Sequence, residues 1–200
     1  MLEQIALKLT AYMIKHEAVP AEDEDIYVYG WSLILSHTAS LSTMLLAAAL
    51  TGELLGALVF MAFMFVLRPY AGGYHADSYL KCFVLSVGGF GVALLIALFF
   101  PVYFLDWLLI LLPVAAVTTF VFAPVGHPNK PLTAQRKQKN KKISRTVVAV
   151  QTILILGLWF LWPGVRHHLV WAMSGMAFTS LTLLYVVLFN PYASHESHEK

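Results

Sequence analysis

The sequence predicts an all-α integral membrane protein with about six membrane segments and an N-terminal amphipathic helix. Hydrophobic residues make up 59% of the 200-residue chain and charged residues only 12%, whereas soluble domains carry roughly a quarter charged residues. Such a chain cannot cover its surface with polar groups. The apolar residues also come in runs close to the ~20 that a helix needs to cross a bilayer, and the basic residues concentrate in one connection. A single membrane domain over 1–200 is expected, with an amphipathic region at 1–25, membrane segments within 26–190 and a cytosolic tail at 191–200.

The first residues lack the short apolar core and small-residue site of a cleaved secretory signal, so insertion is expected to rely on the spans themselves. Leu2, Ile5, Ala6, Leu9, Tyr12 and Met13 recur at helical spacing with Lys8 and Lys15 elsewhere, the pattern of a helix lying on a membrane surface. Glu22-Asp23-Glu24-Asp25 separates this helix from the apolar body. Trp31 to Thr51 is long enough to span, although Ser32, Ser36, His37, Ser40 and Ser42 make it more polar than lipid favours; that face is expected to pack on protein. Gly52-Glu53 then interrupts the run, and Glu53 reads as part of an outer hairpin turn, where a carboxylate costs less than inside the bilayer. Leu54 to Leu67 supplies only fourteen residues before Arg68-Pro69, short for a crossing unless tilted, partly buried or re-entrant. Leu80 to Phe100, Phe104 to Ala123, Val147 to Trp162 and His168 to Phe189 complete six segments.

Orientation follows from charge. The connection from Pro124 to Arg145 reads as a loop holding Lys130, Arg136, Lys137, Lys139, Lys141, Lys142 and Arg145 with no acid, which the positive-inside rule assigns to the cytosol. Two spans separate it from the Arg68–Lys81 connection, which therefore shares its side, as do both termini. The Pro101–Asp106 and Pro163–His167 turns then face outward, with Arg166 against the charge rule.

Chemistry concentrates in Arg68-Pro-Tyr-Ala-Gly-Gly-Tyr-His-Ala-Asp-Ser-Tyr-Leu-Lys-Cys82, which joins two apolar segments. Cys82 is the only cysteine, so no internal disulfide forms, and a lone thiol suits a reducing face. Asp77 or Ser78 can cap the following helix, setting Cys82 about one turn inside its N-terminus, where the helix dipole and Lys81 favour thiolate. His75 serves as a base only if it reaches the sulfur, and seven residues of continuous helix would hold the two about 10 Å apart along the axis. Gly72-Gly73 offers a way round, because glycines accept the positive φ of a tight loop. Amides at that helix start could also bind an oxyanion. Without context a small apolar cysteine, an interfacial histidine and an ordinary turn explain the same residues.

Arg68…Gly-Gly-Tyr-His75…Cys82, followed about forty residues later by Ala-Pro-Val-Gly-His-Pro-Asn-Lys-Pro-Leu and a basic run, resembles the accessory gene regulator B (AgrB) family in length, segment order and motif position. The resemblance implies a bacterial multi-pass membrane cysteine endopeptidase of Gram-positive quorum sensing, acting at the cytosolic face on an AgrD-like propeptide. It implies that Cys82 attacks a propeptide carbonyl while His75 takes and returns the proton, that a thioester forms as the C-terminal tail leaves, and that a substrate cysteine or serine closes a thiolactone or lactone. Arg68 and Gly73 fall on motif positions and are assigned electrostatic and backbone roles. Asp77 either orients His75 or only caps the helix. A homodimer is a further expectation from similarity.

The basic residues Lys130, Arg136, Lys137, Lys139, Lys141 and Lys142 suit an acidic peptide tail, while topology alone also explains them. Nucleic acid is not an expected partner, since no soluble domain presents the basic run. His167-His168 and the tail His195-Glu-Ser-His198 are adjacent or exposed histidines, which make weak ligand sets, so neither metal nor cofactor is expected. A small transporter or peptide exporter is the alternative function, motivated by the polar first span and Glu53; a non-catalytic scaffold is another.

Overall fold

A computed structural model describes residues 2–74, 78–100, 105–126 and 133–189. Every regular element among them is helical, and five helices are long and apolar enough to cross a membrane. The α-helices are, in order, α1 (Leu2–Lys15), α2 (Glu24–Thr51), α3 (Leu54–Ala71), α4 (Tyr79–Phe99), α5 (Leu105–Leu108), α6 (Leu111–Phe122), α7 (Ala134–Leu161) and α8 (Arg166–Phe189). Those of membrane-crossing length and hydropathy are α2, α3, α4, α7 and α8. α3 extends past the expected Leu67 and stays helical to Ala71, with Pro69 inside its last turn.

The expected Phe104–Ala123 span is broken into α5 and α6. Pro113 accounts for the break: its ring would crowd the carbonyl four residues back, at Leu109, and it has no N–H to give. The chain turns at Leu109–Ile110, and proline is tolerated in the first turn of α6. A second departure concerns the basic connection, expected as a loop. From Ala134 onward it is the N-terminal half of α7, opened by Thr133, whose side chain accepts the Arg136 N–H. Lysine, arginine and glutamine are good helix formers, so charge here marks water rather than irregular backbone. The 28 residues of α7 extend about 42 Å, beyond the ~30 Å hydrocarbon layer.

The chain divides into two units, 1–47 with 76–88 and 48–75 with 89–200, so α2 and α4 each contribute to both. In the first unit, α1 buries Ala6 and Thr10, and Trp31 Nε1 on α2 donates to Met13 Sδ at 3.4 Å. Ser32, Ser36 and Ser40 are buried, as expected of a protein-packed face, whereas His37 and Ser42 are exposed.

The second unit is built around α8, which is buried along most of Leu169–Leu183 and packs against α3, α6 and α7. Lipid supplies no hydrophobic drive between helices, so close approach through small residues and polar cross-links must do it. Gly175 lets α8 meet α3: a Cβ there would lie 2.6 Å from Phe60 O, and one on Gly56 would overlap the Trp171 indole. Phe60, Phe90 and Trp171 pack edge-on or tilted at 5.5–6.4 Å. Polar links join the helices: Ser180 Oγ donates to Ala115 O at 3.0 Å and lies 2.9 Å from Thr119 Oγ1, and Gln151 Nε2 donates to Phe63 O at 3.0 Å. Outward, Leu50, Ile153, Phe160, Leu161 and Leu188 are well exposed, the surface expected of helices in hydrocarbon.

Candidate functional site

The candidate site begins where α3 ends. Gly72 closes α3 with φ 75° and ψ −150°, a region that is essentially glycine-only, and Gly73 follows at φ 124°. Both positive φ angles agree with the loop expected from the Gly-Gly pair. Space demands glycine as well. A Cβ on Gly72 would collide with Val125 O, and one on Gly73 would sit 3.0 Å from Thr182 Oγ1. The crowding exists because Val125 N donates to Ala71 O at 3.1 Å, and Gly72 forms an isolated parallel bridge with Val125. The two sequence motifs, Arg68–Gly73 and Ala123–Gly126, therefore meet in one layer.

Arg68 fastens this layer to α8. Its guanidinium donates from Nη1 to Thr182 Oγ1 at 2.9 Å and from Nη2 to Tyr74 O at 3.0 Å, and its Cζ stands 5.7 Å from the Phe178 ring centroid. Tyr74 N donates in turn to Thr182 O at 3.1 Å, and its ring meets Tyr185 edge-on at 5.2 Å. Bonds to an ionised fork are about twice as strong as neutral ones. The segment that leads into His75 is thus tied at Tyr74 through side chain, backbone and ring. Thr182 and Tyr185 are partners the sequence reading did not single out; the available signal was the Thr179-Ser180-Leu-Thr182 cluster inside an apolar helix.

His75 and Asp77 lie outside the described residues, as does Lys130. On the far side of them α4 starts at Tyr79. Ser78 Oγ accepts the Lys81 N–H at 3.3 Å, and Ser78 O accepts the Cys82 N–H at 3.1 Å, so Ser78 caps the helix and Cys82 occupies its first turn. The thiol is free and half-buried, partly reachable from outside. Both the Lys81 and Cys82 amides are engaged by Ser78, which limits the oxyanion donors this helix start can offer to earlier residues of the turn.

The basic residues divide by position. Arg136, Lys139, Lys141 and Lys142 are exposed and Lys137 is half-buried on α7. They project around the helix rather than along one stripe, as 100° steps from 136 to 142 require. Arg145, at the end of this run, donates Nε to Phe120 O at 3.1 Å.

The opposite end of the same unit holds a second polar cluster. Glu53, in the turn between α2 and α3, lies 3.0 Å from His167 Nε2 through both carboxylate oxygens and accepts Trp171 Nε1 at 3.2 Å. Arg166 reaches Asp106 at 3.7 Å. His167 therefore has an acidic neighbour that its sequence context did not reveal, 114 residues away. Among the described residues no group of three or more metal-ligating side chains forms.

Comparison with known proteins decides the family: the accessory gene regulator B family model matches residues 6–190. The chain belongs to the accessory gene regulator B family. Relatives in Clostridium perfringens are similar over most of their length. An AgrB-like protein of strain SM101 is 26% identical over 182 residues, covering 82% of this chain and 83% of the relative. AgrB-like protein 2 of strain 13 is 26% identical over 204 residues, covering 93% and 92%. No solved structure matches the chain significantly. Membership in this bacterial family, with five membrane-length helices, makes the protein a multi-pass membrane protein of the AgrB type. The layer formed by Arg68, Gly72, Tyr74, Val125 and Thr182 lies within the family match.

Proposed function

We propose that this protein is a membrane cysteine endopeptidase that removes the C-terminal tail of an AgrD-like propeptide and closes the remaining peptide into a ring. The observation that carries the reading is the family match across residues 6–190, with a half-buried Cys82 in the first turn of α4. Cys82 Sγ attacks a propeptide carbonyl and His75 accepts the thiol proton. Collapse of the tetrahedral adduct expels the tail amine, which takes that proton, and leaves a thioester. A cysteine or serine inside the propeptide then attacks the thioester, forms a thiolactone or lactone and returns the Cys82 thiol. Keeping water from the thioester favours ring closure over hydrolysis.

Arg68, Gly72 and Gly73 position rather than react: their bonds and close contacts fix the chain immediately before His75. Asp77 is assigned the orienting partner of His75. Arg136, Lys137, Lys139, Lys141 and Lys142 on the exposed half of α7, with Lys130, attract an acidic propeptide tail.

The orientation proposed puts this end, the basic half of α7 and both termini in the cytosol. Its support is that the turns expected outward converge, Glu53 with His167 and Asp106 with Arg166, while the end of α3 at Ala71–Gly72 meets Val125 and Arg145 bonds the last turn of α6 at Phe120 O. The test is processing of an AgrD-like propeptide by protein reconstituted in vesicles. Cys82→Ser and His75→Ala should each abolish cleavage while inserting and melting as wild type; cleavage surviving in either variant refutes the assignment.

A further inference from the structure

Between α6 and α7 runs an apolar groove of about 430 Å³, lined by Ala116, Phe120 and Val121 on one side and Val148, Ala149 and Ile153 on the other. It lies on the outer surface of the unit, since Val121 and Ile153 are more than half exposed. Small side chains at Ala116 and Ala149 create it. The hydroxyl in its lining, Thr152, is already committed to Val148 O at 2.7 Å. Nothing in this lining answers the polar backbone of an extended peptide, and the volume is small for a helix ~10 Å across. A single hydrocarbon chain meets both limits.

One end of the groove is cationic. Arg145 precedes Val148 and Ala149 by three and four residues and so shares their face. Its guanidinium lies over the ring of Phe120, itself a lining residue, at 4.5 Å and donates to the Phe120 carbonyl at 3.1 Å. That carbonyl belongs to the last turn of α6, where acceptors lack helical donors. The charge is therefore held at the mouth of the groove. Lys141 and Lys142 stand one turn further out on the same face, both exposed, and no acid occurs between Pro124 and Arg145. Arg145 is also the last charged residue of α7, followed directly by its apolar run, a position that suits a phospholipid phosphate.

We infer that this groove binds one anionic phospholipid, an acyl chain against Ala116 and Ala149 and the phosphate on Arg145 with Lys141 or Lys142. Such basic sites between membrane helices select anionic headgroups by charge. The site stands independently of Cys82 chemistry.

Native mass spectrometry of the full chain, released from nanodiscs of equal phosphatidylglycerol and phosphatidylcholine, tests it. Wild type should retain one phosphatidylglycerol at least tenfold more often than phosphatidylcholine. Replacing Arg145, Lys141 and Lys142 together by glutamine should bring that ratio near one. Ala149→Leu, which fills the groove and keeps every charge, should lose the bound lipid, and Ala116→Leu does the same from α6 should the first variant fail to insert. Equal retention of both lipids by wild type, or undiminished phosphatidylglycerol on a folded groove-filled variant, overturns the proposal. So does its one-for-one displacement by propeptide, which would make the groove a substrate site.

Discussion

The two ends of the α3–α8 unit are both polar and both open on a turn with a positive-φ glycine, yet they are built differently. At Gly52 (φ 77°) a Cβ would meet nothing within 4 Å, whereas at Gly72 (φ 75°) it would strike Val125 O. Around Glu53 the links that reach α8 run between side chains, to His167 and Trp171, and the main-chain bonds stay within the turn and its own helices. Around Arg68 they engage backbone at Tyr74, Thr182, Ala71 and Val125. Side-chain pairs hold helices together; main-chain ties fix the path of a loop. The difference argues that the Glu53 end secures the bundle and the Arg68 end presents a defined segment.

Substitutions can break that contrast, beginning with the largest effect. Gly72→Ala combines a glycine-only conformation, worth about 1–3 kcal/mol of strain, with a backbone collision; propeptide cleavage should fall at least tenfold. Equal cleavage by this variant would show that the loop path is not limiting. Arg68→Lys removes the planar fork while keeping the charge, costing about 2 kcal/mol in charge-assisted bonds. It should slow cleavage more than it lowers the melting temperature in detergent, and a purely thermal loss would contradict a positioning role. Glu53→Gln should do the reverse, lowering the melting temperature with turnover per folded molecule unchanged. Thr182→Val deletes one partner of Arg68, worth about 1 kcal/mol, and should give a milder copy of Arg68→Lys. Gly52→Ala pays only left-handed backbone strain of about 1 kcal/mol, and its cleavage rate should match wild type.

Much of this contrast was legible in the sequence at one end only. The Gly72-Gly73 pair there is a local signal fixed by φ preference, and in the other unit the Ser78 cap and the buried serines of α2 are local too, fixed by hydroxyl chemistry and helical period. The Glu53–His167 pair was not readable, because it joins residues 114 apart and depends on how α3 and α8 pack. Thr182 was hidden for the same reason. Two features were present but outweighed. Pro113 signalled the break before α6 against an otherwise continuous apolar run, and Thr133 with a stretch of good helix formers signalled that the basic segment is helical. Charge tells which residues meet water, not which backbone they adopt.

The central claim is that Cys82 forms an acyl-enzyme with the propeptide. Intact mass of purified protein after incubation with an AgrD-like propeptide, compared with Cys82→Ala, tests it directly. An adduct of the propeptide less its C-terminal tail, on wild type alone, is the predicted result. Release of the tail by Cys82→Ala, or cleavage by wild type with no adduct trapped at early times, would contradict it.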